Sequence, residues 1–313
     1  MNIVLLESLA VSDEVLNAHV KPLIDAGHTF KAYDRNDDVN VQIEQAKDAN
    51  VIIIGNMPLK GELIRACKNL EFIDVAFTGV DHVDLEVAKE MGVKVSNASG
   101  YSNESVAELV FGMIFELLRN ISKTSVACRN GLTKDGLVGN ELIGKTVGVV
   151  GCGAIGKRVI EILKVFKCEI IGYDPYACEI DGVKMVSLEE LFKISDVVTI
   201  HCPANAGTIG LVSKELIDSM KKSAILINCA RGPIVDVKAL ADALNEERIA
   251  GAGVDVFEVE PPLPLDLGLL HSKNTLVTPH IAFATKESMV KRAKIIFDSL
   301  DSYLSGEQVN IIL

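Results

Sequence analysis

The 313-residue chain has no apolar run of transmembrane length, no cysteine pair at CxxC spacing and no clustered basic patch. Each absence removes a class of protein. Without a run of about 20 apolar residues, a membrane-spanning helix is not expected. The formal net charge is −12, which argues against nucleic acid or an anionic membrane surface as a partner. An anionic substrate would therefore need a local positive site rather than the overall field. The cysteines stand unpatterned at 67, 128, 152, 168, 178, 202 and 229, an odd set that suits reduced thiols and neither a disulfide framework nor a zinc site. The opening residues, Met1 to Glu7, lack the basic n-region of a secretory signal and read as a buried strand. The expectation is a cytoplasmic protein that holds no metal. Solenoid-length repeats and low-complexity segments are also missing.

What is present is alternation. Asn2–Leu6, His28–Tyr33, Val51–Gly55 and Phe72–Ala76 read as strands, with helical spacing over 15–26, 41–49, 60–66 and 85–91. A long helix is expected over 103–119, where Val106, Val110, Met113, Ile114 and Leu117 form a core stripe. Further strands are expected at 197–201, 224–228, 252–255 and 275–278, and helices at 188–194, 214–220 and 237–246. A last amphipathic helix, 286–304, lies too far along to be an ordinary crossover and is expected to return to the first unit. This is an α/β pattern, two Rossmann-like doubly wound parallel sheets, the first flavodoxin-like and discontinuous. The domains expected are 1–100 plus 286–313 for substrate, and 101–285 for a dinucleotide.

The dinucleotide assignment rests on Thr146 to Gly156. An apolar strand, Thr146–Val150, opens into Gly151-x-Gly153-x-x-Gly156 and then into a helical pattern. One glycine makes the turn, one admits phosphate to the backbone, and one lets helix and strand pack closely. The backbone of Gly151, Gly153, Ala154, Ile155 and Gly156 is the expected pyrophosphate cradle. A second apolar run ends in Asp174, roughly 20 residues on, where an acidic side chain accepts from the adenosine ribose hydroxyls. Pro175 and Tyr176 follow, with no Arg or Lys for a 2′-phosphate. The expected cofactor is NAD rather than NADP.

Ligands of open parallel sheets bind beyond the carboxyl ends of the strands. Three side chains stand just past neighbouring strands: Arg231, Glu260 and His280. Arg231 suits a substrate carboxylate and a polarised ketone. His280 suits proton transfer to the ketone oxygen, and Glu260 suits holding the imidazole in one tautomer and favouring its charged form. Taken singly each has a blander reading: a surface cation, a solvated loop carboxylate, a strand terminus. His201, at a strand end before Cys202-Pro203, is expected to shape the cofactor site. His19, His28 and His271 read as structural, and His82 as a helix-start residue at least as readily as a substrate contact. Cys152 and Cys229 read as small packing residues. The loop 77–84 reads either as a helix-capping turn with Asp84 as cap or as backbone N–H groups facing a ligand.

Together these segments resemble the D-isomer-specific 2-hydroxyacid dehydrogenases over nearly the whole chain. The likeness is carried by Thr78-Gly-Val-Asp81, Ser105-Val-Ala-Glu108, the glycine turn, His201-Cys-Pro203, Asn228-Cys-Ala-Arg-Gly232, Asp255-Val-Phe-x-x-Glu-Pro261 and Thr278-Pro-His-Ile-Ala282. The resemblance implies that Arg231, Glu260 and His280 form the catalytic trio. It implies that Asp255 contacts the nicotinamide amide, that His201, Pro203 and Cys229 border the cofactor, and that Thr78 and Gly79 bind the substrate carboxylate with Tyr101 nearby. It also implies a homodimer. Cys229 stands where the family often has Thr. Phe283, where glycerate-dehydrogenase-like members often have Trp, leans towards the glycerate or hydroxypyruvate branch; Tyr101 is similar to the D-lactate branch. A short phosphoglycerate dehydrogenase is a further enzyme reading. An NAD-sensing co-regulator without turnover is the reading of another class, disfavoured by the intact trio.

Overall fold

The computed structural model describes residues 1–177 and 179–313; Cys178, counted above among the reduced thiols, lies outside them. The other six cysteines are free. The chain divides into two compact units, 1–102 with 284–313 and 103–283.

The first unit begins with β1 (Asn2–Leu5), α1 (Asp13–Asp25), β2 (Thr29–Ala32), α2 (Val39–Ala46), β3 (Val51–Ile54), α3 (Gly61–Ala66), β4 (Phe72–Val75), α4 (Leu85–Glu90) and β5 (Lys94–Asn97). Its five strands are parallel in the order β2-β1-β3-β4-β5. All four residues of β3 are buried, as a central strand covered on both faces requires. Helix starts are fixed by side chains: Ser12 accepts from Val15 N–H, Asp38 from Asn40 and Asp84 from Val87. The capping role considered for Asp84 is therefore real.

The second unit contains α5 (Asn103–Arg119), α6 (Ile121–Arg129), β6 (Thr146–Val150), α7 (Ala154–Val165), β7 (Glu169–Tyr173), β8 (Lys184–Met185), α8 (Leu188–Ile194), β9 (Val197–Ile200), α9 (Lys214–Ser219), β10 (Ile225–Asn228), α10 (Val237–Asn245), β11 (Gly251–Val254) and β12 (Thr275–Val277). Its parallel sheet runs β12-β11-β10-β9-β6-β7-β8. The order reverses at β6, with β7 on one side and β9 on the other, so the ligand crevice belongs beyond their carboxyl ends. Val106, Val110, Met113 and Ile114 of α5 are buried against this sheet.

The last helix, α11 (Lys286–Leu304), belongs to the first unit. A capping box between Thr285 and Ser288 starts it. Tyr303 stacks on Phe72 at 4.2 Å and Phe297 on His19 at 4.8 Å. The closing residues then line the β5 edge, with Ile312 N–H donating to Val95 and Asn97 N–H to Asn310. Among the described residues no helix is long and apolar enough to cross a membrane.

Candidate active site

The glycine turn has the geometry a pyrophosphate needs. Gly151 sits at φ +87°, and a Cβ there would lie 2.5 Å from the backbone nitrogen of Cys202. A Cβ on Gly156 would lie 2.1 Å from the Gly151 carbonyl oxygen, so that glycine is what lets α7 pack down on the turn. Gly153 faces open space instead, and α7 begins there with no side-chain cap. Its first-turn N–H groups are left for an anion.

One pocket of the second unit opens over this turn, bordered by Gly151, Gly153, Asp174, His201, Pro203 and Leu211. Asp174 Oδ2 accepts from Cys152 N–H and Oδ1 from Tyr176 N–H, each at 2.8 Å. These bonds hold the carboxylate at the pocket wall, where a ribose diol would meet it. Its charge opposes a 2′-phosphate. Burial pushes the His201 imidazole down to about 3, so it is neutral at ordinary pH, with Nε2 2.9 Å from Thr199 Oγ1. Burial raises the thiols of Cys152 and Cys202 to about 11 and pushes that of Cys229 well above its ordinary value. Protonated thiols of this kind are packing groups, not nucleophiles. These residues fit NAD.

Arg231, Glu260 and His280 follow β10, β11 and β12, three adjacent strands, at the same sheet edge as the glycine turn. Two polar side chains set the turns that carry them. Asn228 Oδ1 accepts from Ala230 N–H while its Nδ2 donates to the Arg231 carbonyl. Asp255 is fully buried and accepts from Ile281 N–H and Ala282 N–H, each at 2.8 Å, and from the Thr278 hydroxyl. His280 N–H donates to the Asp255 carbonyl, and His280 itself sits at φ +56°, a left-handed conformation that this clamp maintains. His280 Nδ1 is 2.8 Å from Glu260 Oε2. The Phe283 ring meets the imidazole edge-on at 5.1 Å. Asn228 carried no expected role, and Asp255 was tied to the nicotinamide only by the resemblance; an Asn and an Asp at strand ends before turns were the available signals.

Thr78, Gly79 and Tyr101 lie in the first unit, past β4 and β5. The Thr78 carbonyl accepts from Asn97 Nδ2, while its hydroxyl is buried without a hydrogen-bond partner. The Tyr101 ring is buried beside Phe77. No group of metal-ligating side chains occurs among the described residues.

An uncapped helix start behind a glycine turn, an acidic residue past the second strand and a paired imidazole define a dinucleotide-dependent α/β oxidoreductase. Residues 111–282 match the family model for the D-isomer specific 2-hydroxyacid dehydrogenase, NAD binding domain, and the chain belongs to this family. It is 39% identical over 272 residues to a D-3-phosphoglycerate dehydrogenase of Methanocaldococcus jannaschii, covering 85% of this chain and only 52% of that protein. The chain thus spans about half the length of that relative. It is 33% identical over 294 residues to a hydroxypyruvate reductase of Blautia hydrogenotrophica, covering 90% of each. Among solved structures, an acyclic imino acid reductase in complex with NADPH and D-Arg superposes with a TM-score of 0.92 at 29% identity, over the full length of both.

Proposed function

We propose that the protein is an NAD-dependent D-2-hydroxyacid dehydrogenase that acts as a 2-oxo acid reductase on a small, unphosphorylated substrate, hydroxypyruvate or a close analogue. The observation that carries this is the 2.8 Å pairing of His280 with Glu260 beyond β11 and β12, beside the Arg231 strand end. When bound, the reduced nicotinamide supplies a hydride to the carbonyl carbon. Arg231 holds the substrate carboxylate and polarises the ketone. With Nδ1 engaged by Glu260, His280 presents Nε2 and gives its proton to the developing alkoxide. Glu260 stabilises the imidazolium that donates it. Asp255 keeps the 278–282 turn in place and contacts the nicotinamide amide, while His201, Pro203 and Cys229 border the cofactor. Thr78 and Gly79 contribute backbone N–H groups to the substrate carboxylate.

The similarity to a hydroxypyruvate reductase over 90% of each chain supports the small 2-oxo acid over the phosphorylated one, and no basic cluster stands near Thr78 to receive a phosphate. We place the protein in the cytoplasm on its unpatterned cysteines, and as a homodimer on the resemblance. NADH oxidation against hydroxypyruvate, glyoxylate, pyruvate, phenylpyruvate and phosphohydroxypyruvate tests the proposal. Turnover of a small unphosphorylated 2-oxo acid is expected. Silence across the panel with NADH bound would favour a sensor, and a preference for phosphohydroxypyruvate would favour a phosphoglycerate dehydrogenase.

A further inference from the structure

Asn228 closes β10 with only 2% of its surface exposed, and both ends of its amide serve the turn that carries Arg231. Oδ1 accepts from Ala230 N–H and Nδ2 donates to the Arg231 carbonyl, each at 3.0 Å. The peptide unit that joins Ala230 to Arg231 is therefore held from both sides. Within that unit, the Ala230 carbonyl accepts in turn from Arg231 Nη1 at 2.8 Å. The plane that Asn228 fixes thus carries an acceptor for the guanidinium itself. An Asn that merely ended the strand would need only the first of these bonds, because Oδ1 alone closes an Asx turn. The second bond, from Nδ2, is additional, and of the residues of this shape only the amide can make both.

The main chain of the same residue leads to the other half of the site. The Asn228 carbonyl accepts from Asp255 N–H at 3.0 Å, and the Asp255 carbonyl accepts from His280 N–H at 2.8 Å. Both bonds extend the sheet ladder just past the last paired residues of β10, β11 and β12. One hydrogen-bonded chain therefore runs from the Arg231 guanidinium to the His280 backbone, and Asn228 is its junction. Hydride transfer needs the carboxylate grip and the proton donor a fixed distance apart, and a misplacement of about 1 Å costs on the order of 100-fold in rate. We infer that Asn228 is a positioning residue for Arg231: its amide aims the guanidinium relative to His280 and so sets the grip on the substrate carboxylate. The inference rests on the dehydrogenase reading and names a further residue within it.

The test is a double-mutant cycle on the full-length protein, read as kcat/KM for the best 2-oxo acid beside the NADH dissociation constant. Asn228→Ala is expected to lower kcat/KM about tenfold or more, chiefly by raising KM, with NADH affinity held within about twofold. Asn228→Ser keeps an acceptor for Ala230 N–H and lacks the reach of Nδ2, so it should fall in between and guards against a fold lost in the alanine variant. In Arg231→Lys the flexible ammonium takes no direction from the 230–231 peptide, so the same Asn228 substitutions should cost less than about threefold. A merely structural Asn228 would lower kcat/KM by one common factor in both backgrounds, and that result overturns the inference. So does an Asn228→Ala enzyme with wild-type kcat/KM. Should the wild type reduce no 2-oxo acid, the dehydrogenase reading fails, and the cycle is read instead on the affinity of the NADH complex for oxamate, an unreactive 2-oxo acid mimic. Coupling there keeps Asn228 as the residue that aims Arg231; additive losses, or no oxamate binding, overturn that role as well.

Discussion

Oε2 of Glu260 sits 2.8 Å from Nδ1 of His280, on an imidazole whose side chain is only 9% exposed. Glu260 itself is 47% exposed, so the pair contributes little to stability and its value is in orientation and charge. Glu260→Gln keeps an acceptor and loses the charge; Glu260→Ala loses both. Rates of 2-oxo acid reduction should fall in that order, by roughly 10-fold and 100-fold, with NADH affinity little changed. Equal rates for wild type and Glu260→Ala would remove Glu260 from the chemistry.

Gly232 is where the Arg231 turn touches the segment leading to Glu260. A Cβ there would lie 2.0 Å from the carbonyl carbon and oxygen of Phe257, a clash that only backbone movement relieves. Gly232→Ala is expected to destabilise the protein by about 1–3 kcal/mol and to depress turnover more than it depresses NADH binding. Steady-state kinetics beside a denaturant titration check this; full activity at wild-type stability would contradict the close contact.

On the proposed reading Asp174 sets the cofactor preference. Asp174→Ala removes the ribose acceptor and the charge that opposes a 2′-phosphate. NADH should bind about tenfold or more weakly, while NADPH gains relative to it. A fluorescence titration of both cofactors reads the ratio, and a ratio that stays put would show that another group reads the ribose.

Much of this was legible in the sequence, because the chemistry needs residues that stand out. The glycine turn, Asp174 and three polar residues past apolar strands are visible without coordinates, and so is the helix Lys286–Leu304 with its regular apolar spacing. Three elements were not. Lys94–Asn97 has one large apolar residue, Val95, and is held as strand by β4 on one side and the closing residues on the other. Ile121–Arg129 buries only Ala127, so it shows no apolar period. Lys184–Met185 is a two-residue edge. The burial of Arg292, on α11, was invisible for the opposite reason: on an amphipathic helix a basic residue reads as surface, and only the packed structure shows that it is buried.

A second buried ionisable group gives the fold a pH dependence. Asp74, in β4, is fully buried, and burial raises its carboxyl well above the ordinary range against the opposing effect of Ser299. Below the unfolded value of about 3.9 both states hold the proton. As pH rises through that value towards the raised folded one, only the folded state retains it, and stability falls. Asp74→Asn removes this dependence. The Tm of the variant relative to wild type should climb as the pH is raised from about 4. A difference that stays flat would show that Asp74 does not titrate with folding.

In the proposed mechanism His280 passes the proton while the glycine turn and Asp174 hold the dinucleotide independently of it. The most direct measurement is the rate of NADH oxidation by His280→Ala with the best 2-oxo acid, alongside its NADH dissociation constant. The rate is expected to fall by about 100-fold or more and the dissociation constant to stay within about twofold. A His280→Ala enzyme that still reduces the 2-oxo acid at the wild-type rate would contradict it.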